Sequence, residues 1–145
     1  MLKTKILVLF LLFSGFGFSQ SFTGFGGSIK DNASRNLFSV SVSGLPSTIG
    51  TSFGLFGVEL NITHTYTADL NIFLIAPDNT LIELSSGNGG SGRNYTNCIL
   101  TNNANTKIAS GKAPFKGSFK PEGSLGVINN GQNPNQAWRL VIVDT

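Results

Sequence analysis

An all-β sandwich is the fold class this chain predicts, and three features carry the prediction. Apolar and polar residues alternate with period two in several segments. No segment sustains the 3.6-residue period of an amphipathic helix. The alternating stretches are short and are divided by loops rich in Gly, Asn and Pro, the spacing typical of two packed sheets. A length of 145 residues suits one domain.

The first 19 residues, MLKTKILVLFLLFSGFGFS, read as a secretory leader. Lys3 and Lys5 supply the charged start, and Ile6 to Phe13 form an unbroken apolar run. Gly17 and Ser19 place small residues at the minus-three and minus-one positions of a cut after Ser19. The run is too short for a comfortable membrane span, so no stable span is expected. The mature chain is expected outside the cell or at its surface. Removing the two leader lysines leaves eight basic against seven acidic residues. Without a basic cluster, nucleic acid is excluded as a partner class.

Residues 20–36 are Gly- and Ser-rich and read as a loose lead-in. The domain proper is expected over 37–145. Its first strand carries Phe38, Val40 and Val42 on one face and Ser39, Ser41 and Ser43 on the other. A longer strand follows. Val58, Leu60, Ile62, His64 and Tyr66 share its inner side, opposite Glu59, Asn61, Thr63, Thr65 and Thr67. The chain turns at Thr67 to Asp69, and Leu70, Ile72 and Leu74 resume the alternation. Pro77-Asp78-Asn79 is a strong turn signal, and Leu81 to Leu84 leads out of it. Residues 58–84 therefore read as a three-strand antiparallel meander.

SSGNGGSGRN, residues 85–94, reads as a glycine loop. A phosphate cradle would need a following helix and a lysine, and the sequence offers neither. Tyr95 to Thr101 is a further candidate strand. Phe115 and Phe119 flank a glycine turn. Trp138, Leu140 and Ile142 alternate with Arg139, Val141 and Val143 in a final core strand. Cys98 is the only cysteine, so no internal disulfide can form, and its apolar setting reads as packing rather than catalysis.

The stretch VELNITHTYTADLNIFLIAPDNTLIEL, residues 58–84, resembles the signature of the P domain, or P/Homo B domain, found beside subtilisin-like proprotein convertases and in secreted bacterial proteins. The matching positions are Val58 to His64, Tyr66, Asp69-Leu70, Ile72, Leu74, Pro77 and Thr80-Leu81. The likeness continues through SGRNYTN, APFKGSFKPEGSL and AWRLVIVDT. It implies a jelly-roll-like, galactose-binding-domain-like sandwich. It also implies a non-catalytic module that stabilises, regulates or recruits a serine endopeptidase.

The chain departs from the pattern in three places. Asn79 stands where the family usually has Gly. ILTNNA carries amides where an acidic pair is usual, which weakens any calcium site built on those acids. The pattern normally continues past Asp144-Thr145 into a last strand, so that strand is expected to be missing and the domain truncated.

A subtilisin-type reaction needs a converging Asp, His and Ser. His64 is the only possible base, and parity points it inward, so it reads as a packed core residue. Asp69 reads as a turn cap acting through its carboxylate. The other reading is a calcium ligand, helped by Asp78 or Asp144. A rival function is a free-standing sandwich that binds carbohydrate or a cell-surface component, with Tyr66, Tyr95 and Trp138 as candidate contacts.

Overall fold

The computed structural model describes residues 7–13 and 19–145. The leader's Lys3, Lys5 and Gly17 lie outside the described residues. Nine strands are described: β1 (Leu7–Phe13), β2 (Ser19–Gly24), β3 (Arg35–Ser41), β4 (Phe53–Ile62), β5 (Leu70–Ile75), β6 (Leu81–Ser86), β7 (Tyr95–Leu100), β8 (Phe115–Phe119) and β9 (Ala137–Asp144). They form two sheets. One has the order β2-β1-β4-β7-β8 and the other β3-β9-β5-β6. All neighbours run antiparallel except β7 and β8, which are parallel. This is the sandwich the alternation predicts.

Period two decides which residues fill the core. Along β5 the burial pattern alternates strictly, with Leu70, Ile72 and Leu74 fully inside. In β4 the inward row is Val58, Leu60 and Ile62. Trp138, Leu140 and Ile142 of β9 complete the facing layer, and Val141 is buried too because β9 lies at the centre of its sheet. Tyr95 stacks on Phe115 with ring centroids 4.8 Å apart, and Phe119 meets Phe115 edge-on at 5.6 Å.

Several expectations change. Ser19–Gly24 is a strand, not part of a loose lead-in. β4 starts at Phe53 and ends at Ile62, short of Tyr66. The three-strand meander does not form: β4 pairs with β1 and β7, whereas β5 pairs with β6 and β9. Residues 63–69 carry the chain from one sheet to the other, ending in a 3-10 turn at Thr67–Asp69. Alternation marks two strands but does not say whether they are partners. FKGSF is a strand with Gly117 at φ +90 inside it, not a turn between two aromatics.

The glycine loop is packed. Gly92 and Gly90 carbonyls accept from the Thr67 and Ala68 N–H groups. Gly89, at φ +88, lies so close to Thr67 and the Phe115 ring that a Cβ there would stand 2.7 Å from a ring carbon. The Pro77-Asp78-Asn79 turn forms as expected. Asn79 takes φ +71, and the Asp78 carboxylate accepts from Thr80 N–H at 2.9 Å.

Candidate functional site

The crossing segment ends the alternation and helps form a cleft that gathers several ionisable side chains. His64 keeps the inward parity of β4 and is buried; its N–H donates to Asn94 Oδ1 at 3.0 Å. Asn94 can face this way because it holds φ +70, a conformation asparagine tolerates. Asp144, at the end of β9, reaches the same point from the other sheet. His64 Nε2 lies 2.9 Å from Asp144 Oδ2, and both side chains are buried.

The second ring nitrogen is occupied as well. Nδ1 lies 2.8 Å from the Tyr66 carbonyl oxygen and 3.3 Å from the Tyr66 N–H. Protonated, Nδ1 donates to that carbonyl; unprotonated, it accepts from that N–H. Either way the ring is fastened to its own loop at one end and to β9 at the other.

Asp69 is brought beside this pair, with its main chain tied to the residue after β9. Its backbone carbonyl accepts from Thr145 N–H at 2.9 Å and from Thr145 Oγ1 at 3.2 Å. This main-chain tie joins the 3-10 turn to the residue that follows β9. Asp31 approaches from the chain before β3, its backbone forming an isolated parallel β-bridge with Asp144. Asp31, Asp69, Asp144, His64 and Tyr66 line a cleft of about 370 Å³. Sequence reading missed Asp31, because nothing local ties it to a residue 113 positions later.

Asp78 is elsewhere. Its carboxylate accepts from Thr80 N–H and from Asn130 Nδ2, and these bonds hold its carboxyl below the usual carboxylate range. It does not join Asp69 and Asp144. Among the described residues, no three His, Cys, Asp or Glu side chains converge as a metal centre. The candidate carbohydrate contacts divide too. Tyr95 and Trp138 are fully buried, and Trp138 Nε1 donates to the Pro134 carbonyl at 2.9 Å; only Tyr66 is exposed, at 52%.

Cys98 is buried, and burial pushes its thiol up to about 12. Burial likewise pushes the Tyr95 phenol up to about 12, opposed in part by its bond to the Ser85 hydroxyl. Neither is a nucleophile at neutral pH.

A base needs a free ring nitrogen facing a nucleophile. His64 has neither: its nitrogens are bound to a carboxylate and to backbone, and no serine or threonine hydroxyl is among its partners in the described residues. The arrangement is a sheet-to-sheet clasp in a β-sandwich module. The proprotein convertase P-domain family matches residues 55–145, and the chain belongs to that family. Over 73 residues it is 36% identical to leupeptin-inactivating enzyme 1 of Streptomyces exfoliatus. The match spans 50% of this chain but 16% of that protein. No solved structure matches the chain.

Proposed function

We propose that this domain is exported and serves a serine endopeptidase as a stabilising, regulatory or docking module, without performing chemistry itself. The observation that carries the reading is the family match over residues 55–145, joined to a His64 whose ring nitrogens are both engaged. The likeness to leupeptin-inactivating enzyme 1 supports a setting beside an enzyme. Export is supported by the leader pattern in residues 1–19; no helix among the described residues is long and apolar enough to cross a membrane.

Mixing the purified chain with a subtilisin-type endopeptidase domain from the same source tests the role. A complex by native mass, with a longer enzyme half-life at elevated temperature, is expected. Absence of both overturns the reading. Peptide hydrolysis by the chain alone, lost in His64→Ala at unchanged thermal stability, would overturn its non-catalytic part.

Calcium belongs to the same proposal. Its place is beside Asp69 in the same cleft, where carboxylate and carbonyl oxygens suit a hard cation. Asp144 is already bonded to His64 and Asp78 is remote, so the donor set at hand is Asp31 and Asp69 with nearby carbonyls. A rise in melting temperature in calcium relative to EDTA, lost in Asp69→Asn, is expected. An identical melt in both removes the ion from the account.

A further inference from the structure

At the start of β4, the end opposite His64, the sandwich carries a second cleft, of about 450 Å³. β7 pairs with β4 from Val58 onward, and among the described residues no strand takes the place of β7 on that side of residues 53–57. Side chains fill the gap. Asn129 Oδ1 accepts from the Leu55 N–H at 3.3 Å, and Thr101 Oγ1 donates to the Phe56 carbonyl at 2.8 Å. Gly54 lets the Asn129 amide lie against the strand: an added Cβ would stand 2.6 Å from Nδ2.

The lining is polar without charge. Asn102, Asn103 and Asn129 line the cleft with the hydroxyl residues Thr51 and Ser52, and among the described residues no ionisable side chain does. Asn102 is fixed by two bonds: Oδ1 accepts from Leu125 N–H at 3.2 Å, and Nδ2 donates to Ser124 Oγ at 3.3 Å. Asn129 uses its oxygen on Leu55, and its Nδ2 has no partner among the described residues. The Asn103 side-chain amide has none at either atom. Phe56, half-buried, adds an apolar surface.

This chemistry selects against most ligand classes. Phosphates and carboxylates call for cationic partners, and a divalent cation calls for carboxylates. Neither lines the cleft. An extended peptide needs a free strand edge, and here Asn129 and Thr101 already hold the backbone groups of β4. A hydroxyl both donates and accepts, and so does a carboxamide. A ligand dense in hydroxyls with an apolar C–H face therefore fits. The volume lies within the roughly 300–1,000 Å³ of small-molecule clefts.

We propose that this cleft binds a neutral saccharide, with Asn103 and Asn129 bonding its hydroxyls and Phe56 packed against the C–H face of one sugar ring. Tyr66, Tyr95 and Trp138, the aromatics first considered for such a role, do not line it. The site does not rest on the endopeptidase role proposed above.

The intact protein on an array of neutral and acidic oligosaccharides tests the site, followed by amide-shift mapping with the best neutral binder. Saturable binding of a neutral oligosaccharide, with shifts centred on residues 50–56, 102–103 and 129, is expected. Asn103→Ala should weaken binding about tenfold at an unchanged melting temperature, because its amide bonds nothing in the free protein. Phe56→Ala should also weaken it, whereas Phe56→Tyr, which keeps the ring, should bind as the parent does. Unchanged binding by Asn103→Ala, shifts centred elsewhere, or no neutral binder on the array overturns the proposal. Preference for acidic oligosaccharides overturns it as well. So does a glycine-rich tetrapeptide that shifts the same amides with equal strength, since the cleft is then a peptide site.

Discussion

His64 Nε2 and Asp144 Oδ2 stand 2.9 Å apart, although eighty residues separate them in the chain. The bond joins the segment that leaves β4 to the last residue of β9, and so links the two sheets at one end of the sandwich. Removing one member leaves the other buried without its partner. Asp144→Ala and His64→Ala are each expected to destabilise the domain by about 3 kcal/mol. The double variant should cost much less than the sum of the singles. Urea midpoints of the four proteins check this, and strictly additive losses would show that the pair does not act as a unit.

Cys98 and Tyr95 predict weakness at alkaline pH. Unfolded, their groups release protons near 9 and 10; folded, burial holds both protons to about 12. The folded values are raised, so this contribution is complete below about pH 9 and is lost as pH climbs toward 12. The slope approaches about 1.4 kcal/mol per pH unit for each group. Urea midpoints measured from pH 8 to 11 should fall, and Cys98→Ala should flatten the early part. A thiol reagent at pH 8 should label Cys98 only at the rate of unfolding. Fast labelling of the native protein would contradict the burial.

Gly89 and Asn79 separate two kinds of positive-φ residue. At Gly89 both backbone and space forbid a side chain: φ is +88, and an added Cβ meets Thr67 and Phe115. Gly89→Ala should cost about 2 kcal/mol or more. At Asn79 only the backbone matters, and asparagine already tolerates φ +71. Asn79→Gly relieves the backbone but removes the acceptor of a bond from Arg139 Nη2 at 2.6 Å, so a change within about 0.5 kcal/mol is expected. Thermal melts decide both, and an equal effect at the two sites would refute the distinction.

Trp138 is the largest fully buried side chain, and its indole N–H is satisfied by the Pro134 carbonyl. Trp138→Ala should cost about 3–5 kcal/mol through the cavity it leaves. Trp138→Phe fills much of the space but loses the N–H, and about 1–2 kcal/mol is expected. A Trp138→Ala protein with native stability and weakened glycan binding would instead restore Trp138 as a surface contact.

Most strands were legible because local alternation reports which face is inside. Phe38, Val40 and Val42, the row Leu70, Ile72 and Leu74, and the turn Pro77 to Thr80 all lie where the pattern places them. The inward aim of His64 was legible on the same ground. Parity failed at Tyr66 and Thr67, where exposed and buried states exchange, because the chain there leaves extended geometry for a 3-10 turn. Tyr95 opens β7, the candidate strand at 95–101, but it points into the core and so is removed from the carbohydrate contacts.

By itself the amino-acid order determined the fold class, the chief strand faces, the turn chemistry and the family likeness, since each rests on residues close together in the chain. The tertiary structure alone decided the rest. It put β4 and β5 in different sheets, ran β8 parallel to β7, seated Leu7–Phe13 beside β4, and gave His64 the distant Asp144 as its partner. It also separated Asp78 from the cleft and brought Asp31 into it. The physical reason is that alternation states only which side of a strand is apolar. Which strand lies next to it, and which loops meet at its end, is settled by packing both sheets around one core.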